Sequence, residues 1–164
     1  MTRIGLISDT HSVLHPSVAE HFEGCDEIWH AGDIGDPAVI DQLKSIKPVK
    51  AVFGNIDGKK IRSEWPEDWW TEVEGVHFWM THIGGSPPNY NPRIKKMLMD
   101  KVPDVFICGH SHILKIMKDK NRNMLFINPG AAGNQGFHRK KTLVRFEVAE
   151  KKIVKLEVIE LEDN

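Results

Sequence analysis

The chain is short of cysteine, of net charge and of long apolar runs. Its 164 residues include two cysteines, Cys25 and Cys108, which excludes a disulfide framework and a zinc module built on thiolates. The 22 basic and 23 acidic side chains leave a formal charge of −1. The basic excess that a nucleic-acid coat or a membrane-surface protein draws on is therefore missing. No window approaches the roughly 20 consecutive apolar residues of a membrane span. The apolar stretch after Met1-Thr2-Arg3 is four residues long and stops at Ser8-Asp9, too short for a secretory signal. No asparagine lies in an Asn-x-Ser/Thr sequon, and a reducing, cytosolic setting is expected. What the chain has in excess is histidine, with nine.

The length and the 40% hydrophobic content suit one soluble domain over residues 1–164 with a real core. The recurring pattern is a short apolar run that stops at a polar residue. Ile4–Ile7 stops at Ser8-Asp9, Glu27–Ala31 at Gly32-Asp33, Val49–Phe53 at Gly54-Asn55, Val76–Met80 at Thr81-His82, and Val105–Cys108 at Gly109-His110. Runs this short, rich in β-branched and aromatic residues, read as strands. Asp36-Pro37 and Asn91-Pro92 each read as an N-cap followed by proline in the first turn, with apolar stripes Val39, Ile40, Leu43 and Ile94, Met97, Leu98. Pro16 is expected to open a helix through Phe22. After Cys108 the helical signals fade, and Ile113–Lys118, Asn123–Ile127, Thr142–Val148 and Ile153–Ile159 read as strands. The result is an α/β sandwich with a parallel core and antiparallel additions.

In open α/β sheets, ligands bind beyond the carboxyl ends of the strands. Here those ends carry Asp9-x-His11, Gly32-Asp33, Gly54-Asn55, His82 and Gly109-His110-Ser111-His112, placed by this reading at one edge of one sheet. Two carboxylates, one amide and four imidazoles exceed the donor set of a single metal ion. They suit two divalent ions sharing a carboxylate. Nitrogen and oxygen donors without thiolate favour Mn²⁺, with Fe, Zn²⁺, Co²⁺ or Ni²⁺ as alternatives, over Cu(I) or Ca²⁺. Ser8, Gly32, Gly54 and Gly109 precede the donors and leave room for tight turns.

This ordered set resembles the signature of the calcineurin-like metallophosphoesterase superfamily, in its small single-domain bacterial and archaeal phosphodiesterase branch. Asn128-Pro129-Gly130 matches a turn of that branch. The resemblance implies a four-layer αββα sandwich of two mixed sheets and a binuclear centre. By motif, Asp9, His11, Asp33 and His112 would hold one metal; Asp33, Asn55, His82 and His110 would hold the other, with Asp33 bridging. It also implies phosphodiester hydrolysis by a metal-bridging hydroxide, with Asn55 and His110 contacting phosphate oxygens. The implied partner is a small phosphoester, with nucleotide-like ones among the candidates; a homo-oligomer is left open.

Departures and rivals matter too. The family usually has His or Cys after the Gly-Asn pair, where this chain has Ile56, a side chain unable to donate a proton. Leaving-group protonation is then expected to be weak, which favours substrates with good leaving groups. Asp57 reads equally as a turn residue and a site residue. His15, His21, His30, His77 and His138 read as non-ligands, and Lys59-Lys60-Ile61-Arg62 as a solvated turn. Trp65, Trp69, Trp70 and Trp79 read as core or interface rather than as a stacking platform for a base. The rival function is a catalytically weak scaffold of the same fold that binds protein partners.

Overall fold

The computed structural model describes residues 1–162. In chain order the elements are β1 (Thr2–Ile7), α1 (Val18–Phe22), β2 (Glu27–His30), α2 (Ala38–Lys44), β3 (Val49–Ala51), α3 (Lys59–Glu64), β4 (Asp68–Val73) and β5 (Val76–Thr81). There follow β6 (Gly85–Ser86), β7 (Asn89–Tyr90), α4 (Pro92–Asp100), β8 (Val105–Ile107), β9 (Leu114–Asp119), β10 (Met124–Pro129), β11 (Lys141–Ala149) and β12 (Lys152–Leu161).

Two five-stranded sheets result, in the orders β12-β11-β1-β2-β3 and β4-β5-β8-β10-β9. Each has a parallel centre: β1 runs parallel to β2, β2 to β3, β5 to β8, and β8 to β10. Antiparallel strands extend both sheets, with β11 beside β1, β12 beside β11, β4 beside β5 and β9 beside β10.

Strand alternation builds the layers. Ile4 and Leu6 of β1 point between the sheets and meet Phe78, Met80, Val105 and Ile107. Ile7, one residue on, faces outward to Phe22 of α1, Leu43 of α2 and Ile61 of α3. In the second sheet Trp79 and Phe106 face outward onto Ile94 and Leu98 of α4. The αββα sandwich is thus a consequence of period-two burial on both faces of two sheets. Local signals for α4 act as expected: the Asn91 side chain accepts from the Ile94 N–H at 2.9 Å, and the helix ends before Pro103.

Three expectations are corrected. The five parallel strands belong to two sheets, because Val76–Met80 pairs with β4 and β8 and nowhere with β1, β2 or β3. Lys59–Glu64 forms a short helix where a turn was expected; Ile61 is its buried anchor. Asp68–Val73 forms an edge strand that the tryptophans obscured. Those tryptophans are half-buried against the core: Trp69 meets Trp29 edge-on at 4.9 Å and Trp70 stacks on Trp79 at 4.7 Å.

Trp29 is the largest side chain between the sheets and is fully buried against Trp69, Phe78 and Phe146. Trp29→Ala is expected to remove about 3–5 kcal/mol of stability, read as a lower urea midpoint. Met99→Ala, at an exposed position of α4, is expected to stay within about 0.5 kcal/mol of the parent.

Candidate metal centre

The seven donors converge at the edge shared by the two sheets. Asp9 and His11 follow β1, Asp33 follows β2, Asn55 follows β3, His82 follows β5, and His110 and His112 follow β8. Each stands just past a strand, and the strands belong to two sheets rather than the one expected. Six form two groups able to hold an ion: Asp9, His11 and His112, then Asp33, His82 and His110.

The groups adjoin. His112 Nε2 lies 3.2 Å from Asp9 Oδ1, and His82 Nε2 lies 3.2 Å from Asp33 Oδ2. His11 Nε2 is 3.4 Å from that same Asp33 oxygen, so Asp33 faces both groups. Asn55 joins them through its side chain: Oδ1 is 3.0 Å from His110 Nδ1. Among the described residues, three atoms here, Asp9 Oδ1, His11 Nε2 and His82 Nε2, are buried without a hydrogen-bond partner. A buried orphan polar atom is costly unless something else satisfies it, and a divalent cation fits all three.

Electrostatics agree. Burial pushes the Asp9 carboxyl up, but His112 and His82 outweigh it and hold it below the usual carboxylate range. Asp33 behaves alike, with burial overcome chiefly by His82. Burial pushes His82 down, and contact with Asp33 and the charge of Asp9 lift it above its ordinary value. The two carboxylates thus raise the proton affinity of His82, as Asp9 does that of His112. The donor set fits a positive charge.

The loops that bear these donors are strained. Asp9, His11, Asp33, His110 and His112 all have positive φ, between 46° and 72°. Each costs of order 1–3 kcal/mol for a non-glycine residue, and such strain persists only where the surroundings impose it. Gly54 shows the crowding: a Cβ there would collide with Asp33 Oδ1. Gly32 combines φ of +103° with the His82 ring packed against it.

Residues outside the donor set hold the loops. Asp57 is buried, and its carboxylate accepts from the N–H groups of Ile34, Gly35 and Gly54, which ties the Asp33 loop to the Asn55 loop. Its role is structural. Asn128 donates to Gly109 O and Ser111 Oγ, each at 3.0 Å, and so braces the turn that carries His110 and His112. His82 Nδ1 is 2.8 Å from Ala31 O, which assigns a proton to Nδ1 and turns Nε2 toward the carboxylates. Ile56 has an exposed side chain but gives its backbone N–H to Asp33 Oδ1 at 3.1 Å. Its contribution could not be read from side-chain chemistry.

The remaining histidines divide. His30 is buried beneath the site: Gly32 N–H donates to Nδ1, and Nε2 lies 3.0 Å from Thr10 Oγ1, which donates to Ile34 O. His138 packs edge-on against His112 at 5.2 Å, closer to the site than its sequence context suggested. His15 and His77 make contacts elsewhere, with Glu162 and Asp104 respectively.

Two mixed sheets between helices, with paired donor groups at their joined edge, define a protein of the metallophosphoesterase fold. Residues 2–151 match the calcineurin-like phosphoesterase superfamily domain, and the chain belongs to that family. A probable metallophosphoesterase of Methanocaldococcus jannaschii is 34% identical over 135 residues, which span 78% of this chain and 67% of that protein. Among solved structures, an archaeal phosphodiesterase superposes with a TM-score of 0.73 at 23% identity, covering 97% of this chain and 99% of its own. Vps29 of Entamoeba histolytica, complexed with Zn²⁺, superposes at 0.72 and 17% identity, covering 97% and 98%. These two likenesses are of fold.

Full burial pushes the His30 imidazole down from 6.5 to about 4, so the folded protein keeps it neutral. A group depressed on folding stabilises above its unfolded pKa and loses that contribution as pH falls. Between pH 6.5 and about 4, His30 should therefore withdraw about 3 kcal/mol of stability. Urea unfolding at stepped pH should show a shallower acid decline for His30→Gln; equal slopes would remove His30 from the account.

Proposed function

We propose that the protein is a two-metal phosphoesterase acting on phosphodiesters, with Asp9, His11, Asp33, Asn55, His82, His110 and His112 as its ligands. One observation carries this reading: two adjoining donor groups whose buried atoms Asp9 Oδ1, His11 Nε2 and His82 Nε2 have no hydrogen-bond partner among the described residues. Asp33, facing both groups, would help to hold both ions. The preference for diesters draws on the archaeal phosphodiesterase that shares the fold.

Bound divalent cations would neutralise phosphate charge and lower the pKa of water there. Mn²⁺ is the first choice for a set of nitrogen and oxygen donors. The protein's own groups do the rest. Asn55 and His110 sit at the exposed rim of the site, linked at 3.0 Å. If Nδ1 of His110 donates to Asn55 Oδ1, the Asn55 NH₂ stays available to a phosphate oxygen. The strained loops hold the donors in place before substrate arrives, which limits reorganisation during the reaction. Two buried, unpaired cysteines support the cytosolic setting.

The second reading, compatible with the fold shared with Vps29, is a protein-binding scaffold with weak or no catalysis. Turnover separates the two. With Mn²⁺ added, an aryl phosphodiester is expected to be hydrolysed, and Asp33→Asn should lose more than about a hundredfold in kcat/KM. Stoichiometric metal with no hydrolysis of any phosphoester would favour the scaffold. Equal activity in wild type and Asp33→Asn would mark a contaminant.

Ile56 puts no acid near a leaving group, so rates should fall steeply as leaving-group pKa rises. Ile56→His should flatten that dependence across a graded aryl phosphodiester series. An unchanged slope would show that position 56 takes no part in departure.

A further inference from the structure

The basic segment after the Asn55 loop is split by the fold. Lys59, Lys60 and Arg62 are all exposed on α3, and Arg62 is fastened back onto the loop. Arg62 Nε donates to Asp57 O at 2.6 Å, and Nη2 lies 3.3 Å from both Gly54 O and Asn55 O. The guanidinium also lies over the Phe53 ring, 4.5 Å from its centroid. Among the described residues Nη1 has no hydrogen-bond partner, and the guanidinium forms no ion pair.

This arginine lines a cavity of about 400 Å³ with Phe53, Asn55, His82, Ile83 and Pro92. The cavity thus borders the candidate metal centre. Arg93 lines it too, but its charge is matched by Asp68 at 2.8 Å and Glu67 at 3.8 Å. Carbonyl oxygens carry no net charge, so the charge of Arg62 stays uncancelled. A guanidinium held by three carbonyls and a ring has little freedom left to lose on binding an anion. Phe53, Ile83 and Pro92 provide apolar wall for an organic spacer.

We infer that Arg62 is a specificity-determining residue that binds a second anionic group of the substrate, set beyond the scissile phosphorus. This rests on the phosphoesterase reading and narrows it. The substrate class is a phosphoester that carries another phosphate or a carboxylate on its organic part. An arginine that only braced the loop would act on all ligands alike.

Three non-hydrolysed ligands test this by calorimetry on Mn²⁺-loaded protein: phenylphosphonate, 3-carboxyphenylphosphonate and 1,3-phenylenediphosphonate. Wild type is expected to bind at least one two-anion ligand about tenfold more tightly than phenylphosphonate, which also tells carboxylate from phosphate. Arg62→Gln should erase that preference and leave phenylphosphonate binding unchanged; Arg62→Lys should keep part of it. No preference in wild type, or the same preference in Arg62→Gln, would overturn the inference. Should Arg62→Gln fail to fold, as read by thermal melting, wild type and Arg62→Lys decide. Hydrolysis of an aryl phosphoester is scored separately: without turnover the phosphoesterase reading fails, while the binding preference stands or falls by its own measurement.

Discussion

Asp9 and Asp33 lie buried where the two sheets meet, and among the described residues their ionic neighbours are imidazoles, with no lysine or arginine. A buried carboxylate without a full counter-charge is unstable unless hydrogen bonds and a cation supply what water did. Much of the surrounding structure answers that demand. Ser8 Oγ and the His110 N–H donate to Asp9 Oδ2 at 2.6 and 3.1 Å, and the Ile56 N–H donates to Asp33 Oδ1. The oxygens left over, Asp9 Oδ1 and Asp33 Oδ2, are the ones that face the histidines.

Meeting the demand costs regular backbone. Five donor residues sit in the left-handed region, and glycines stand where any side chain would strike a donor. That strain is held by groups with no chemistry of their own. Asp57 joins two loops, Asn128 braces a third, and His30 with Thr10 fastens the floor beneath them. Rigid sheets behind and a buried polar network below make the site pre-formed, which suits catalysis by positioned charge.

Much of the site was legible in the sequence because each donor stands just past an apolar run. A parallel strand ends where its apolar residues end, and α/β sheets collect function at that edge. The cap at Asn91 was legible for a similar reason: it depends on a contact three residues away. The bracing residues were not. Asp57 meets N–H groups 22 and 23 positions back, and no local pattern announces such contacts. The strand Asp68–Val73 was hidden because its tryptophans fit core, interface or stacking surface equally until their neighbours are known.

The sequence by itself determined the nitrogen and oxygen side chains on offer and the strand ends that carry them. These follow from residue type and local apolar pattern. Only the tertiary structure decided that two sheets share the donors, that Asp33 faces both groups, and that Arg62 lies against the cavity while Lys59 and Lys60 face outward. Strand pairing and loop docking are set by contacts between distant residues. Short runs such as Val76–Thr81 fit the edge of either sheet until β4 and β8 close around them.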